Sequence, residues 1–310
     1  MRLDTVLSTK SGDVLLRNPL VLASGVMGTS PGLLKRIALG GAGAVTAKSC
    51  GPKHREGHPN PVMVEWEHGL LNAIGLTNPG VAEEVDLLIE ANQLLRPLDV
   101  PVFASIFAGT EEKFARVAEK IAEAEPALIE VNISCPNVHD DFGLPFAAKA
   151  ESAAGVTRAV KAAVPGIPIA IKLAPNVPDI GRIARSVVNA GADLITAINT
   201  MPGLVIDADA AASVLHNRTG GISGPALKPI ALRCVAEIAQ HVDVPIIGTG
   251  GVLTGRDAVE MLMVGASAVG IGSAFWYRGP DAFRLICEEM EVFMIENEFE
   301  SVSDLVGRAI

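Results

Sequence analysis

The stretch that decides the fold is residues 245–273, PIIGTGGVLTGRDAVEMLMVGASAVGIGS. Two apolar runs of strand length, Pro245–Thr249 and Ala268–Ile271, flank a segment with helical periodicity, Gly255–Met263. A strand, a helix and a second strand in this order predict a βαβ unit with parallel strands.

The same alternation extends over the rest of the chain. Six further candidate strands precede this unit: Pro19–Ala23, Ala44–Lys48, Val102–Ser105, Leu128–Asn132, Ile169–Leu173 and Leu194–Ile198. The other candidate helices are Gly32–Leu39, Val81–Leu95, Glu111–Ala124, Lys149–Ala163, Ile180–Ala190, Ala226–His241 and Asp281–Asn297. Eight such units in 310 residues favour a closed (β/α)8 TIM barrel. Because no Pro- or Ser-rich linker divides the chain, we predict a single domain over residues 1–310.

Composition excludes several classes of protein. The net charge of −10 disfavours nucleic acid as a partner, since phosphate binding requires clustered Lys and Arg. The four Cys lie far apart without a CxxC pair, so we expect neither a metal site nor a disulfide scaffold. The N-terminus does not resemble a signal peptide, and no apolar run is long enough to cross a membrane. We therefore expect a cytoplasmic protein without membrane attachment.

Three long connections, 49–80, 137–146 and 199–225, each follow the carboxyl end of a predicted strand. In a TIM barrel this face carries the active site. Glycines end the last two strands, at Gly250-Gly251 and at Gly272-Ser273. Their bare N–H groups could bind a phosphate, with 220–224 closing over it, although glycines in these places could also serve only as tight turns.

Two lysines and three amides also fall at these strand ends. Lys48 and Lys172 end apolar strands, so each requires a charge or water as partner. Either could form a Schiff base, or could hold an electron-rich ring or a carboxylate. Asn72, Asn132 and Asn199 supply the paired donors and acceptors that match an amide or imide ring.

The segment Asn132–Asn137 follows the fourth predicted strand and contains Cys135. A single cysteine is most often a small core residue. Its position at a polar strand end equally suits a thiol at the mouth of a pocket, and the residues alone leave both interpretations open.

Three motifs resemble dihydroorotate dehydrogenase, most closely the class 1B, NAD-linked catalytic subunit. They are Asn132-Ile133-Ser134-Cys135-Pro136-Asn137, Leu71-Asn72-Ala73-Ile74-Gly75-Leu76 with Asn78-Pro79-Gly80, and Gly220-Gly221-Ile222-Ser223-Gly224-Pro225-Ala226. The resemblance extends over nearly the whole chain, and the motifs occur in the expected order.

The resemblance implies FMN-dependent oxidation of dihydroorotate to orotate in pyrimidine biosynthesis. The residue at the position of Cys135 is then the base that removes the C5 proton, and FMN accepts the C6 hydride. Electrons are expected to pass to NAD through a partner subunit that carries FAD and a [2Fe–2S] cluster. The implied assembly is a homodimer core with two such partners, a heterotetramer.

The resemblance also implies two sets of binding residues. The substrate positions are Lys48, Asn72, Ala73, Ile74, Gly75, Leu76, Asn132, Asn199 and Thr200. The FMN positions are Ser24, Lys48, Ser49, Ser105, Asn132, Lys172, Ile198, Gly224, Gly250, Gly251, Gly272 and Ser273. We interpret Val138–Phe146 as a lid with Gly143 as its hinge.

Other functions compete with this prediction. A class 1A-like homodimer would reduce fumarate on its own, and a dihydropyrimidine dehydrogenase would act on a related ring. A flavin-free lyase would use Lys172 as a Schiff base with a bound phosphate. A non-catalytic barrel would only bind a nucleotide.

Overall fold

The computed structural model of the chain describes residues 2–133, 146 and 149–310. Eight parallel strands close into a barrel in chain order, which confirms the predicted TIM barrel. The barrel strands are β3 (Leu20–Leu22), β4 (Ala44–Thr46), β7 (Val102–Ile106), β8 (Leu128–Asn132), β9 (Ile169–Leu173), β10 (Leu194–Ala197), β15 (Ile246–Thr249) and β16 (Ala268–Ile271).

Helices alternate with these strands and cover the barrel. They are α1 (Pro31–Leu39), α2 (Val81–Leu95), α3 (Glu111–Ala122), α4 (Ala150–Ala163), α5 (Ile180–Asn189), α6 (Lys228–Ala239), α7 (Gly255–Met263), α8 (Ala274–Arg278) and α9 (Ala282–Glu296). Four of them begin at a side chain that caps a free backbone N–H, namely Ser30, Thr110, Asp179 and Thr254. The helices that the sequence predicted are found within two residues of their expected ends, because caps and apolar periodicity mark them clearly.

The barrel interior is built in layers. The layer near the amino ends of the strands is apolar and includes Phe103, Leu128, Ala170 and Leu194. A hairpin of β1 (Thr5–Leu7) and β2 (Val14–Leu16) packs against it and closes that end. Successive side chains of a strand alternate between its faces, so the residues two positions further along face the interior as well.

That next interior layer is polar. Its members are buried side chains at the carboxyl halves of the strands: Thr46, Ser105, Glu130, Lys172 and Thr196. The barrel therefore has an apolar base and a polar layer towards the mouth, where a polar ligand can find partners.

Small strands in the long connections form additional sheets. A four-stranded antiparallel sheet has the order β11-β14-β6-β5. It consists of β5 (Met63–Trp66), β6 (Gly69–Asn72), β11 (Met201–Leu204) and β14 (Thr219–Ser223), and a second short hairpin pairs β12 (Ile206–Asp207) with β13 (Ala212–Ser213). The sequence predicted only connections here, because these strands are short and rich in glycine, which gives a weak strand pattern.

Across the described ranges, none of the helices combines the length and the apolar character that crossing a membrane requires. The same residues contain no cluster of three or more His, Cys, Asp or Glu side chains placed to hold a metal ion.

Candidate active site

A cavity of about 470 Å³ opens at the carboxyl ends of the barrel strands. This volume lies within the usual range of small-molecule and cofactor sites. Most residues that the sequence predicted to bind substrate or cofactor line it together: Ser24, Lys48, Ser49, Asn72, Ile74, Gly75, Leu76, Asn132, Lys172, Ile198, Asn199, Thr200, Gly250, Gly251, Gly272 and Ser273.

Three predicted residues are not part of the cavity wall as the described residues define it. Ala73 is fully buried, and its N–H donates to the carbonyl of Val62 over 2.7 Å. Gly224 follows the lining residue Ser223, and its carbonyl accepts from the N–H of Leu227 over 3.0 Å. Ser105 lies behind the wall and is joined to it through the hydroxyl of Ser49, and its contact with FMN stays a prediction.

Cys135 and residues 138–145 of the predicted lid lie outside the described residues. Phe146, the last residue of that lid, is described, and its ring makes an edge contact with Phe114 at a centroid distance of 5.8 Å.

A continuous chain of polar side chains runs beneath one side of the cavity. The hydroxyls of Ser24 and Ser49 are 3.1 Å apart, and those of Ser49 and Ser105 are 2.8 Å apart. Ser105 donates to Oε1 of Glu130 over 3.2 Å, and Nζ of Lys172 donates to the same oxygen over 3.3 Å. This chain crosses strands β7, β8 and β9 and ends at the ammonium group that lines the cavity.

Lys48, which follows β4, is buried and belongs to a second charged group. Glu84 of α2 is buried nearby, and burial raises the pKa of its carboxyl to about 7, although the positive charge of Lys48 acts in the opposite direction. Burial also raises the pKa of the Cys50 thiol well above its usual range, with the charge of Glu84 adding to the effect. Cys50 is therefore a neutral core thiol. Of these three residues, Lys48 is the one that lines the cavity.

The glycines at the ends of the last two barrel strands differ in their surroundings. Gly251 has φ of +74°, and a Cβ atom there would lie 2.5 Å from the backbone nitrogen of Lys228. At Gly272 a Cβ atom would meet no atom closer than 3.8 Å. The backbone at Gly272 therefore borders open space in the cavity, where its environment can accept an anionic group.

The strand β14 contacts two of the predicted substrate-binding residues, Asn72 and Thr200. A Cβ atom at Gly221 would lie 2.1 Å from Oγ1 of Thr200, and Nδ2 of Asn72 donates to the carbonyl of Gly221 over 3.3 Å. Oδ1 of Asn199 accepts from the N–H of Thr200 over 2.9 Å. Gly220 and Gly221 are buried within this strand, where the lack of a side chain allows close packing. Closure of residues 220–224 over an anion stays a prediction.

Sequence reasoning missed several lining residues, including Met27, Met63, Leu70 and Trp276. Met63 and Leu70 lie in the small antiparallel sheet, which the sequence did not predict. Trp276 lies three residues beyond Ser273, a predicted FMN position, and this short distance in the sequence could have identified it. Met27 has a left-handed φ of +54° and Leu76 one of +57°, and such conformations are common at functional sites.

The protein-family model described as dihydroorotate dehydrogenase matches residues 6–294, which is most of the chain. The chain belongs to the dihydroorotate dehydrogenase family. It is an oxidoreductase of this family, and the resemblance found in its motifs is confirmed.

Among curated relatives, many similar ones are named dihydroorotate dehydrogenase B (NAD(+)), catalytic subunit. The protein of that name from Methanocaldococcus jannaschii is 44% identical over 306 residues, which cover 99% of each chain. The one from Methanothermobacter thermautotrophicus is 44% identical over 98% of each chain. The one from Pyrococcus abyssi is 43% identical over 96% of this chain and 97% of its own.

Proposed function

We propose that this chain is the catalytic subunit of an NAD-linked dihydroorotate dehydrogenase that oxidises dihydroorotate to orotate in pyrimidine biosynthesis. The observation that supports this most is the cavity, where two lysines, three amides and two glycine-rich strand ends predicted from separate parts of the sequence meet. The names of the relatives support the same substrate and acceptor.

The residues of the cavity fit FMN. Gly250, Gly251, Gly272 and Ser273 would hold its phosphate with backbone N–H groups, in the place where TIM barrels often bind phosphate. Lys172 would lie against the ring system, where an ammonium group stabilises negative charge. FMN supplies a hydride acceptor when it is bound.

The amides and Lys48 would hold the substrate. Dihydroorotate has a ring with amide and imide edges and a carboxylate, which match the donors and acceptors of Asn72, Asn132 and Asn199 and the charge of Lys48. We assign Cys135 as the base that removes the C5 proton. A thiol can do this once nearby dipoles or cations lower its pKa towards neutrality, in a site from which a lid excludes water.

For the electron acceptor, we propose a partner subunit that carries FAD and a [2Fe–2S] cluster. Such a cluster needs four closely placed thiolates, whereas Cys50, Cys135, Cys234 and Cys287 are widely separated in the sequence. The partner would therefore supply the cluster, with the chain itself forming the homodimer core of a heterotetramer.

The full chain, purified as expressed, tests the proposal. It is expected to be yellow, to release FMN on denaturation, and to form orotate from dihydroorotate with an electron-accepting dye. A colourless protein that lacks this activity would contradict the proposal and favour a Schiff-base lyase.

A separate assay with fumarate as the only acceptor distinguishes the two classes of enzyme. We expect little turnover with fumarate, and reduction of NAD once the iron–sulfur flavoprotein subunit is added. Rapid turnover with fumarate alone would instead indicate a class 1A-like homodimer.

A further inference from the structure

Glu130 is a buried carboxylate in the polar layer of the barrel, and the proposed reaction gives it no role. It lies on β8, is 5% exposed, and faces the interior two positions beyond the core residue Leu128. It does not itself line the cavity within the described part of the chain. Its neighbour in the sheet register, Ala170 on β9, precedes Lys172 by two residues, so the two charged side chains share one side of the sheet.

The contacts of Glu130 lead to the cavity through Lys172. Its Oε1 accepts from the ammonium of Lys172 over 3.3 Å and from the hydroxyl of Ser105 over 3.2 Å. The side chains of both charged residues are less than a tenth exposed. A buried ammonium is retained as a charge when a carboxylate is paired with it, and the serine bond fixes the position of that carboxylate.

We propose that Glu130 is a positioning residue that anchors the ammonium of Lys172 in the cavity wall and offsets part of its charge on the bound flavin. This inference rests on the proposed function, because it requires FMN beside Lys172. With Glu130 ionised, the ammonium and carboxylate form a neutral pair, so the wall favours added negative charge less than a lone lysine would. Glu130 therefore sets how strongly the site prefers reduced over oxidised FMN.

The test replaces the carboxylate with a neutral group of the same shape, Glu130→Gln. Dissociation constants of oxidised and reduced FMN are measured for the wild-type and variant proteins under anaerobic conditions. We expect the preference for reduced FMN to rise at least tenfold, because removing one unit charge about 12 Å away at an effective dielectric constant of about 20 gives that factor and a closer charge gives more. Tenfold corresponds to a rise of about 30 mV in the midpoint potential of a two-electron couple.

Two variants serve as controls. Glu130→Asp keeps the carboxylate and should retain the wild-type preference. Asp193→Asn removes another buried carboxylate, which pairs with Lys161 at 2.6 Å and lies before β10, at the amino end of the barrel. It should lower stability without changing the preference.

An unchanged preference in Glu130→Gln, in a protein whose wild type binds FMN, would overturn this inference and leave the proposed function intact. A wild type that binds no FMN would overturn the proposed function itself. Should Glu130→Gln fail to fold, the comparison moves to Lys172→Gln with and without Glu130→Gln. The double variant is then expected to prefer reduced FMN more than Lys172→Gln alone, and equal preferences would contradict the proposal.

Discussion

At the scale of single residues, the proposed chemistry depends on Cys135. Cys135→Ala is expected to keep FMN but to lose nearly all turnover, because no other side chain is assigned to take the C5 proton. Cys135→Ser should retain a little activity that increases at high pH, since a hydroxyl gives up its proton less readily than a thiol. Steady-state rates with a dye acceptor across a pH series measure both effects.

Cys287→Ala is a suitable control, because this half-buried thiol lies on α9 and does not contact the cavity in the part of the chain that the structure describes. Wild-type turnover by Cys135→Ala would disprove the assignment of the base.

A second prediction concerns Glu84 and the pH dependence of the protein's stability. Its folded-state pKa of about 7 lies above the ordinary value of 4.5, so the folded protein holds this proton more tightly than the unfolded chain does. Stability should therefore fall as pH rises from about 4.5 to about 7, by roughly 3 kcal/mol for this group. Glu84→Gln removes the ionisation and should be more stable than wild type at pH 8, by up to that amount, and nearly equal at pH 5.

Urea unfolding of the flavin-free protein at the two pH values measures this difference. The exposed Glu90 on the same helix provides the control, since Glu90→Gln should change stability little at either pH. An equal gain from Glu84→Gln at both pH values would contradict the assigned ionisation.

The sequence predicted which single residues lie at the cavity where those residues belong to a motif or end a strand. Lys48, Asn132 and Lys172 are at the cavity, as their positions at strand ends indicated. The pairing of Lys172 with Glu130 was not predictable, because it depends on the register between two strands that are far apart in the chain.

At the scale of elements, the strand β14 requires glycine at position 221. A side chain at position 221 would overlap Thr200, so Gly221→Ala must displace either the strand or the predicted substrate contact. We expect kcat/KM for dihydroorotate to fall about 100-fold, the loss typical of misplacing a positioning group. FMN affinity should change much less, because the glycine-rich ends of β15 and β16 are untouched.

Gly166→Ala is the matched control, since a Cβ atom there would meet no atom within 4 Å. Substrate kinetics for the two variants, with FMN content measured alongside, check the prediction. A Gly221→Ala enzyme with wild-type kcat/KM would show that Thr200 has no part in binding substrate.

The two kinds of strand differed in how well the sequence predicted them. The barrel strands are runs of buried apolar residues, and their burial determines both the pattern and the structure. The strands of the small sheet contain residues such as Pro202, Gly203 and Gly220, and they form through pairing with distant strands. Tertiary contacts of this kind leave little trace in local sequence.

At the scale of the whole molecule, the barrel joins an apolar base to a polar mouth. Closure of the barrel could be predicted from eight repeated units, and closure brings the ends of all eight strands to one face. The extent of the cavity could not be predicted, because the small antiparallel sheet contributes part of its wall. The match of residues 6–294 to the family model agrees with this barrel architecture.

The most direct test of the central proposal is anaerobic addition of dihydroorotate to the purified yellow protein, followed by its visible absorbance. We predict that the flavin absorbance bleaches within the turnover time in the wild type, that orotate forms in equal amount, and that Cys135→Ala stays yellow. A wild-type protein whose bound flavin keeps its colour in the presence of dihydroorotate would contradict the proposed function.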